Sequence, residues 1–134
     1  MKKYLIILAS VLFMFSCDES SPVGLQDDTI KLSTKELSIG AEGGTAVVTS
    51  EGNHWALNWV YTNGAPIPPQ DMVITTQNYE KIKFESDWFT IFKENSQKLV
   101  FTISANKTGQ QRGLSVGLMD ANYGTYISLT QSAE

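Results

Sequence analysis

Residues 97–106 read QKLVFTISAN, and Leu99, Phe101 and Ile103 fall on one side of that run with Thr102 and Ser104 on the other. Successive side chains leave a pleated strand on opposite faces, so a period of two marks a strand with one face in a core and one in water. The same period returns in Leu114, Val116 and Leu118, and again in Ile127 and Leu129. Turn-forming residues separate the runs: Glu42-Gly43-Gly44, Glu51-Gly52-Asn53, Glu94-Asn95-Ser96, Lys107-Thr108-Gly109 and Ala121-Asn122-Tyr123-Gly124. Glycine reaches positive φ without a side-chain clash, and asparagine tolerates it. From Thr29 onward no run of ten residues carries a helical stripe.

Strands are expected near residues 30–39, 45–50, 55–61, 80–85, 88–93, 97–105, 111–119 and 124–131. Reading 80–93 as one bent strand brings the count to about seven. The expected fold class is all-β, an immunoglobulin-like β-sandwich of about seven strands spanning residues 29–134. Pro66, Pro68 and Pro69 in TNGAPIPPQD end an edge strand, where a missing N–H costs no ladder hydrogen bond.

The N-terminus has a different grammar. Met1-Lys2-Lys3 precedes YLIILASVLFMF (residues 4–15), a charge-free run. At helical rise it reaches roughly 18 Å, short of a hydrocarbon core of about 30 Å. It reads as an export signal rather than a span. Met14-Phe15-Ser16-Cys17 follows and resembles the lipobox of bacterial lipoproteins, with Met14 and Phe15 in place of the usual Leu and small residue. The resemblance implies cleavage before Cys17, so that residues 1–16 are a signal peptide and Cys17 carries the lipid. Two or three acyl chains give a stable membrane attachment where one gives a marginal one. Residues 17–28 are then the lipidated cysteine and a flexible acidic tether. Its Asp18-Glu19 pair resembles the acidic export signal of Bacteroidetes surface lipoproteins. The competing reading of that pair is a merely soluble linker, so the expected location is the cell envelope, at the outer membrane, with exposure on the surface as one of the open alternatives.

Cys17 is the chain's only cysteine, so no intramolecular disulfide exists. Loss of residues 1–16 removes two of ten basic side chains and none of fourteen acidic ones, leaving 118 residues with a balance of −6. An acidic chain with one arginine has no footprint for nucleic acid. Catalytic groups are scarce. His54 is the only histidine, no Gly-x-Ser-x-Gly turn occurs, and neither zinc nor calcium ligand spacing is present. Glu85 and Asp87 are the nearest pair of carboxylates for glycoside hydrolysis, but they fit a solvated strand face better. The chain is expected to be no enzyme and to need no cofactor or metal.

The C-terminal half carries an ordered set of residues. Ser86-Asp87-Trp88-Phe89 opens a strand; LVFTISANKTGQQRGLSVGL places Asn106 before a turn and Arg112 after it; the last strand closes on Gln131-Ser132-Ala133. That order resembles the BACON domain, as does Leu37 before Gly43-Gly44 and TAVVTSEGNHW. The resemblance covers about residues 30–133 and is interrupted near 62–83, where this chain is longer. It implies a β-sandwich of exported Bacteroidetes proteins, with carbohydrate or mucin binding proposed from neighbouring glycan-degrading modules. Trp88, Asn106, Arg112 and Gln131 also have a structural reading: core or interface filling for Trp88, ties to backbone for Asn106 and Gln131, and for Arg112 either ties to loop carbonyls or a pair with Asp120 or Glu94.

One constellation points to a ligand. In HWALNWVYTN, strict alternation places Trp55, Leu57, Trp59 and Tyr61 on one face. Trp59, Tyr61, Asn63 and Tyr79, around the long insertion, form a candidate glycan-binding platform of stacking rings and an amide. The competing reading makes Trp55, Leu57 and Trp59 core and lets only Tyr61 emerge. Two functions follow: a surface lipoprotein that binds carbohydrate without catalysis, or a spacer or adaptor that packs against another envelope protein.

Overall fold

The computed structural model describes residues 27–71, 73–77 and 81–134. The expected signal segment, Cys17, most of the tether and Tyr79 lie outside the described residues. The described residues form an all-β sandwich of ten strands: β1 (Glu36–Ile39), β2 (Gly44–Thr49), β3 (Ala56–Thr62), β4 (Ala65–Pro66), β5 (Val73–Gln77), β6 (Lys81–Glu85), β7 (Phe89–Asn95), β8 (Lys98–Ile103), β9 (Arg112–Asp120) and β10 (Tyr123–Gln131). They form two five-stranded sheets, β1-β10-β9-β3-β4 and β2-β8-β7-β6-β5. All pairings are antiparallel except β1 with β10, which is parallel.

The core is the alternation read from the sequence. Leu99, Phe101 and Ile103 of β8 meet Leu114, Val116 and Leu118 of β9 and Ile127 and Leu129 of β10, all buried. Each such side chain contributes about 1.5–3 kcal/mol on leaving water. Phe89 and Ile91 of β7, Val48 of β2 and Trp55 complete it.

Three expectations are corrected. The count is ten because the insertion is itself strand-forming: β3 turns through Asn63 and Gly64, both at positive φ, into β4, and a short 3-10 turn (Pro69–Asp71) leads to β5. Pro66 sits in the two-residue edge strand β4, which is too short to show a period. Residues 80–93 are two strands, since β6 and β7 pair antiparallel across Ser86, Asp87 and Trp88. Residues 30–39 are not one strand. Leu32 bridges to Ser50 beside the second sheet, and only from Glu36 does the chain join β10 in the first. Asp28 fixes the entry to this segment: its Oδ1 accepts from the N–H groups of Ile30 (3.1 Å) and Lys31 (2.8 Å).

Polar groups tie the sheets together at one end. Gln131 is fully buried at the end of β10. Its Nε2 donates to Gly40 O after β1 (3.1 Å) and to Ser104 O after β8 (2.8 Å), one carbonyl following a strand of each sheet. Its Oε1 accepts from Arg112 Nε (2.8 Å), and Arg112 also donates to Ser104 O and Ala105 O. The guanidinium carbon lies 4.2 Å from the centroid of the Trp88 ring, a cation–π contact. Asn106, also fully buried, donates from Nδ2 to Gln110 O and Ser132 O and accepts at Oδ1 from Thr108. Burial is offset only because each of these groups is bonded. Gly43, at φ 82, belongs to the same corner: an added Cβ there would run into the backbone of Ile103 and Ser104.

Elsewhere, buried Lys93 of β7 donates to Trp55 O (2.9 Å) and lies 4.4 Å over the Trp55 ring. The indole N–H is bound by Ser50 Oγ (2.7 Å) and Gly52 O (3.1 Å).

Gln131→Ala strips a donor from two carbonyls and an acceptor from Arg112. Urea titration should show a loss of about 2–5 kcal/mol, against at most about 0.5 kcal/mol for Gln111→Ala at an exposed site. Acid should expose a second dependence. The Lys31 N–H, foremost, holds the Asp28 carboxyl below the ordinary carboxylate value; desolvation opposes this, and the Tyr123 side chain, the Ile30 N–H and Lys35 add to it. A depressed pKa stabilises the fold above the unfolded value and is lost as pH falls through the folded one. Asp28→Asn should therefore flatten the acid limb of the stability curve below about pH 4.

Candidate binding face

The first sheet presents an aromatic cluster on its outer side, and a β-bulge puts it there. β3 pairs with β9 as Leu57 with Leu118, then Trp59 with Gly117 and Val60 with Val116, so Asn58 is the extra residue. An inserted residue shifts every later side chain to the opposite face. Trp55 is buried and Leu57 half-buried against the core; beyond the bulge Val60 takes the inward place, and Trp59 and Tyr61 turn outward. The strict alternation expected for residues 55–61 thus fails at Asn58. Trp59 is not core: it is 37% exposed.

Trp59 lies on β9 at Gly117. A Cβ on Gly117 would fall inside the indole, at Cε2 and Nε1, so only glycine lets the ring lie flat across the strand. Gly117 pairs in turn with Tyr126 of β10, which is 56% exposed. One cross-strand row therefore reads Tyr126, Gly117, Trp59. The rings of Trp59 and Tyr126 are 6.3 Å apart at 33°, and Tyr61 meets Trp59 edge-on at 4.8 Å and 79°. Such tilted and edge contacts suit the ring quadrupoles and hold the cluster in shape. The next row on the same face runs Glu36, Ser128, Ser115, Tyr61, Pro66. It sets two serine hydroxyls beside the aromatic row. A shallow depression continues from Tyr126 past Tyr123, Thr125 and Ser128 to Lys35 and Glu36.

The expected site residues within the described chain fall in three places. Trp59 and Tyr61 come together on this face. Asn63 sits at the end of β3, where its Oδ1 accepts from Gly113 N (2.8 Å) and its N–H donates to Gly113 O (3.0 Å), so its amide oxygen is engaged in extending the ladder. Trp88, Asn106, Arg112 and Gln131 are at the polar corner and take no part in the cluster. Arg112 binds the carbonyls of Ser104 and Ala105 rather than Asp120 or Glu94. Glu94 pairs with Lys98 at 2.6 Å, and Glu85 with Lys83 at 2.7 Å. Among the described residues no group of three His, Cys, Asp or Glu gathers as a metal site. Sequence reading missed Tyr126 and Gly117. The signals were the phase of Tyr126, opposite to Ile127 and Leu129, and a glycine inside the otherwise branched LSVGL run.

Neither a family model nor a curated protein matches the chain. Among solved structures, an NMR structure of a protein from Bacteroides thetaiotaomicron is similar with a TM-score of 0.64 and 23% identity, over 88% of this chain and 98% of that one. This likeness establishes a shared fold. A Bacteroides ovatus GH5 xyloglucanase in complex with a XXXG heptasaccharide has a TM-score of 0.47 and 16% identity, over 78% of this chain and 19% of that one.

The contact of Trp59 with Gly117 is open to a double-mutant test. Gly117→Ala should cost about 1–2 kcal/mol by forcing the indole off β9. In a Trp59→Ala background that cost should fall by more than half, a coupling visible in urea titrations of the four proteins.

Proposed function

We propose that the protein is a non-catalytic carbohydrate-binding lipoprotein of the bacterial envelope, anchored through Cys17 and binding glycan on the outer face of its first sheet. The observation that carries the reading is the bulge at Asn58, which places Trp59 and Tyr61 outward beside exposed Tyr126. Pyranose rings present C–H groups on their flat faces, and these stack on the negative face of an aromatic ring. Hydroxyls at the ring edge then need partners, which Ser115 and Ser128 supply one row away. Rigid aromatic side chains give contact area at low entropic cost, which suits a shallow open site. The BACON-like order of Trp88, Asn106, Arg112 and Gln131 and the lipobox-like Cys17 support the same reading from the sequence side.

A second reading, a protein adaptor, draws on the opposite face. There Val47, Val100 and Phe92 line up across β2, β8 and β7, and Val47 is exposed. The two readings are separated by which face is sensitive to substitution.

Titration calorimetry against neutral plant and host glycans should show binding that weakens at least about tenfold, about 1.4 kcal/mol, in Trp59→Ala and in Tyr126→Ala. Phe92→Ser on the other face should leave it unchanged. Absence of heat with every glycan, together with a protein partner lost on Phe92→Ser, would establish the adaptor instead.

A further inference from the structure

The aromatic row on the first sheet runs across the strands, from Trp59 on β3 over Gly117 on β9 to Tyr126 on β10. Because a Cβ on Gly117 would fall inside the indole, the ring of Trp59 lies flat over β9 and shows a face to solvent. The phenol of Tyr126 rises from β10, one strand spacing of about 4.8 Å further on. Its plane departs from that of the indole by only 33°, with the centroids 6.3 Å apart. The two rings are thus neighbours on one shallow platform. Tyr61 belongs to the next row and meets Trp59 at 79°, so it borders the platform instead of extending it.

Beyond Tyr126 the track reaches a place where β1 has not yet begun. β1 starts at Glu36 and pairs with residues 128–131 of β10, so the earlier part of β10 borders a depression of about 490 Å³ lined by Lys35, Glu36, Tyr123, Thr125, Tyr126 and Ser128. That volume is in the range of small-molecule sites, roughly 300–1,000 Å³. From β3 to the line of β1 the track covers three strand spacings, roughly 14 Å, whereas one sugar ring reaches across about one of them. Polar groups follow it on one flank, in the row Glu36, Ser128, Ser115.

We infer that this face takes an extended β-1,4-linked glycan of at least three units laid across the strands, with one sugar on Trp59, the next on Tyr126 and a third in the depression at Lys35 and Glu36. The inference rests on the carbohydrate reading of the same face and narrows it to a ligand class. Pyranoses joined equatorially at both ends form a ribbon, and the axial C–H groups of successive rings look toward the same two sides. Two aromatic faces close to one plane match two successive rings of that ribbon. An α-1,4 chain coils and turns its second ring face off the platform. The third unit supplies hydroxyls that the Glu36 carboxylate accepts, and each added unit raises the contact area of a site that is otherwise shallow.

Titration calorimetry of the full chain with β-1,4-linked oligomers of one to six units, from cellulose, xylan and chitin, reads this directly. In at least one series the affinity should rise roughly tenfold or more from the disaccharide to the tetrasaccharide and then level off, and α-1,4-linked maltotetraose should bind roughly tenfold more weakly than the β-linked tetramer. Glu36→Ala, at an exposed position, should weaken the tetramer about fivefold, the loss of one hydrogen bond, with the dimer unchanged and an unaltered far-UV spectrum. Tyr126→Ala should weaken both. Equal affinity for monomer and tetramer, or for maltotetraose and the β-1,4 tetramer, overturns the inference and leaves the carbohydrate reading standing. So does a tetramer affinity unmoved by Glu36→Ala, or binding confined to glycans of other linkage. Absence of heat with glycans of every linkage removes both readings together.

Discussion

The sandwich depends on one buried amide. Gln131 stands at the end of the last strand, inside, and its side chain holds Gly40 O, which follows β1, and Ser104 O, which follows β8. Those carbonyls belong to chain leaving different sheets, so the amide fixes the spacing between sheets that a purely apolar core would leave adjustable. A hydrophobic interface is tolerant of sliding; a hydrogen bond to a buried carbonyl is not, since leaving it unmade costs about 1–3 kcal/mol. Arg112 bonds the amide oxygen and is held against Trp88, which keeps the guanidinium partly out of water. Burial lowers the pKa of that guanidinium from its ordinary value, and the three carbonyl and amide acceptors around it supply what solvent would have given. The order Trp, Asn, Arg, Gln in the sequence is thus one physical object in space. Asn106 closes the adjoining loop through Gln110 O and Ser132 O.

With one end fixed in this way, the outer face of the first sheet is free of structural duty. The bulge at Asn58 exploits that. It satisfies the core with Trp55 and Leu57 before the insertion and with Val60 after it, so a seven-residue strand serves the interior with both phases of its alternation. The aromatic residues displaced by the phase change would be a solubility liability on a bare strand. Gly117 removes part of that liability by letting the indole lie against backbone, and Tyr61 packs its edge. What remains exposed is a set of ring faces with fixed mutual angles.

Most of the fold was legible in the sequence, for a clear reason. β7 and β8, like β9 and β10, are joined by short turns, and the core-facing residues of β8, β9 and β10 keep a period of two, so Leu99, Phe101, Leu114, Ile127 and their neighbours announce both strand and face. The rest was hidden by features that periodicity does not encode. β4 is too short to have a period, β5 lies in an insertion of mixed composition, and the segment from Ile30 to Ile39 switches sheets without any change in pattern. The candidate face was half legible. Trp59 and Tyr61 stood out by type, but their direction rested on a bulge, and a bulge is set by the pairing of β3 with β9 rather than by residues 55–61 alone. Tyr126 becomes part of the site only across Gly117, a relation between three strands that are distant in sequence.

An open aromatic face with few enclosing walls buries little of any partner, and small contact areas offset the cost of association poorly. Fixed ring angles lower that cost, because Trp59, Tyr61 and Tyr126 already hold one another in place and have little side-chain freedom left to lose on contact. Gly117 serves the same end by seating the indole on backbone, so the shape of the face is set by the pairing of β3, β9 and β10 and not by whatever meets it.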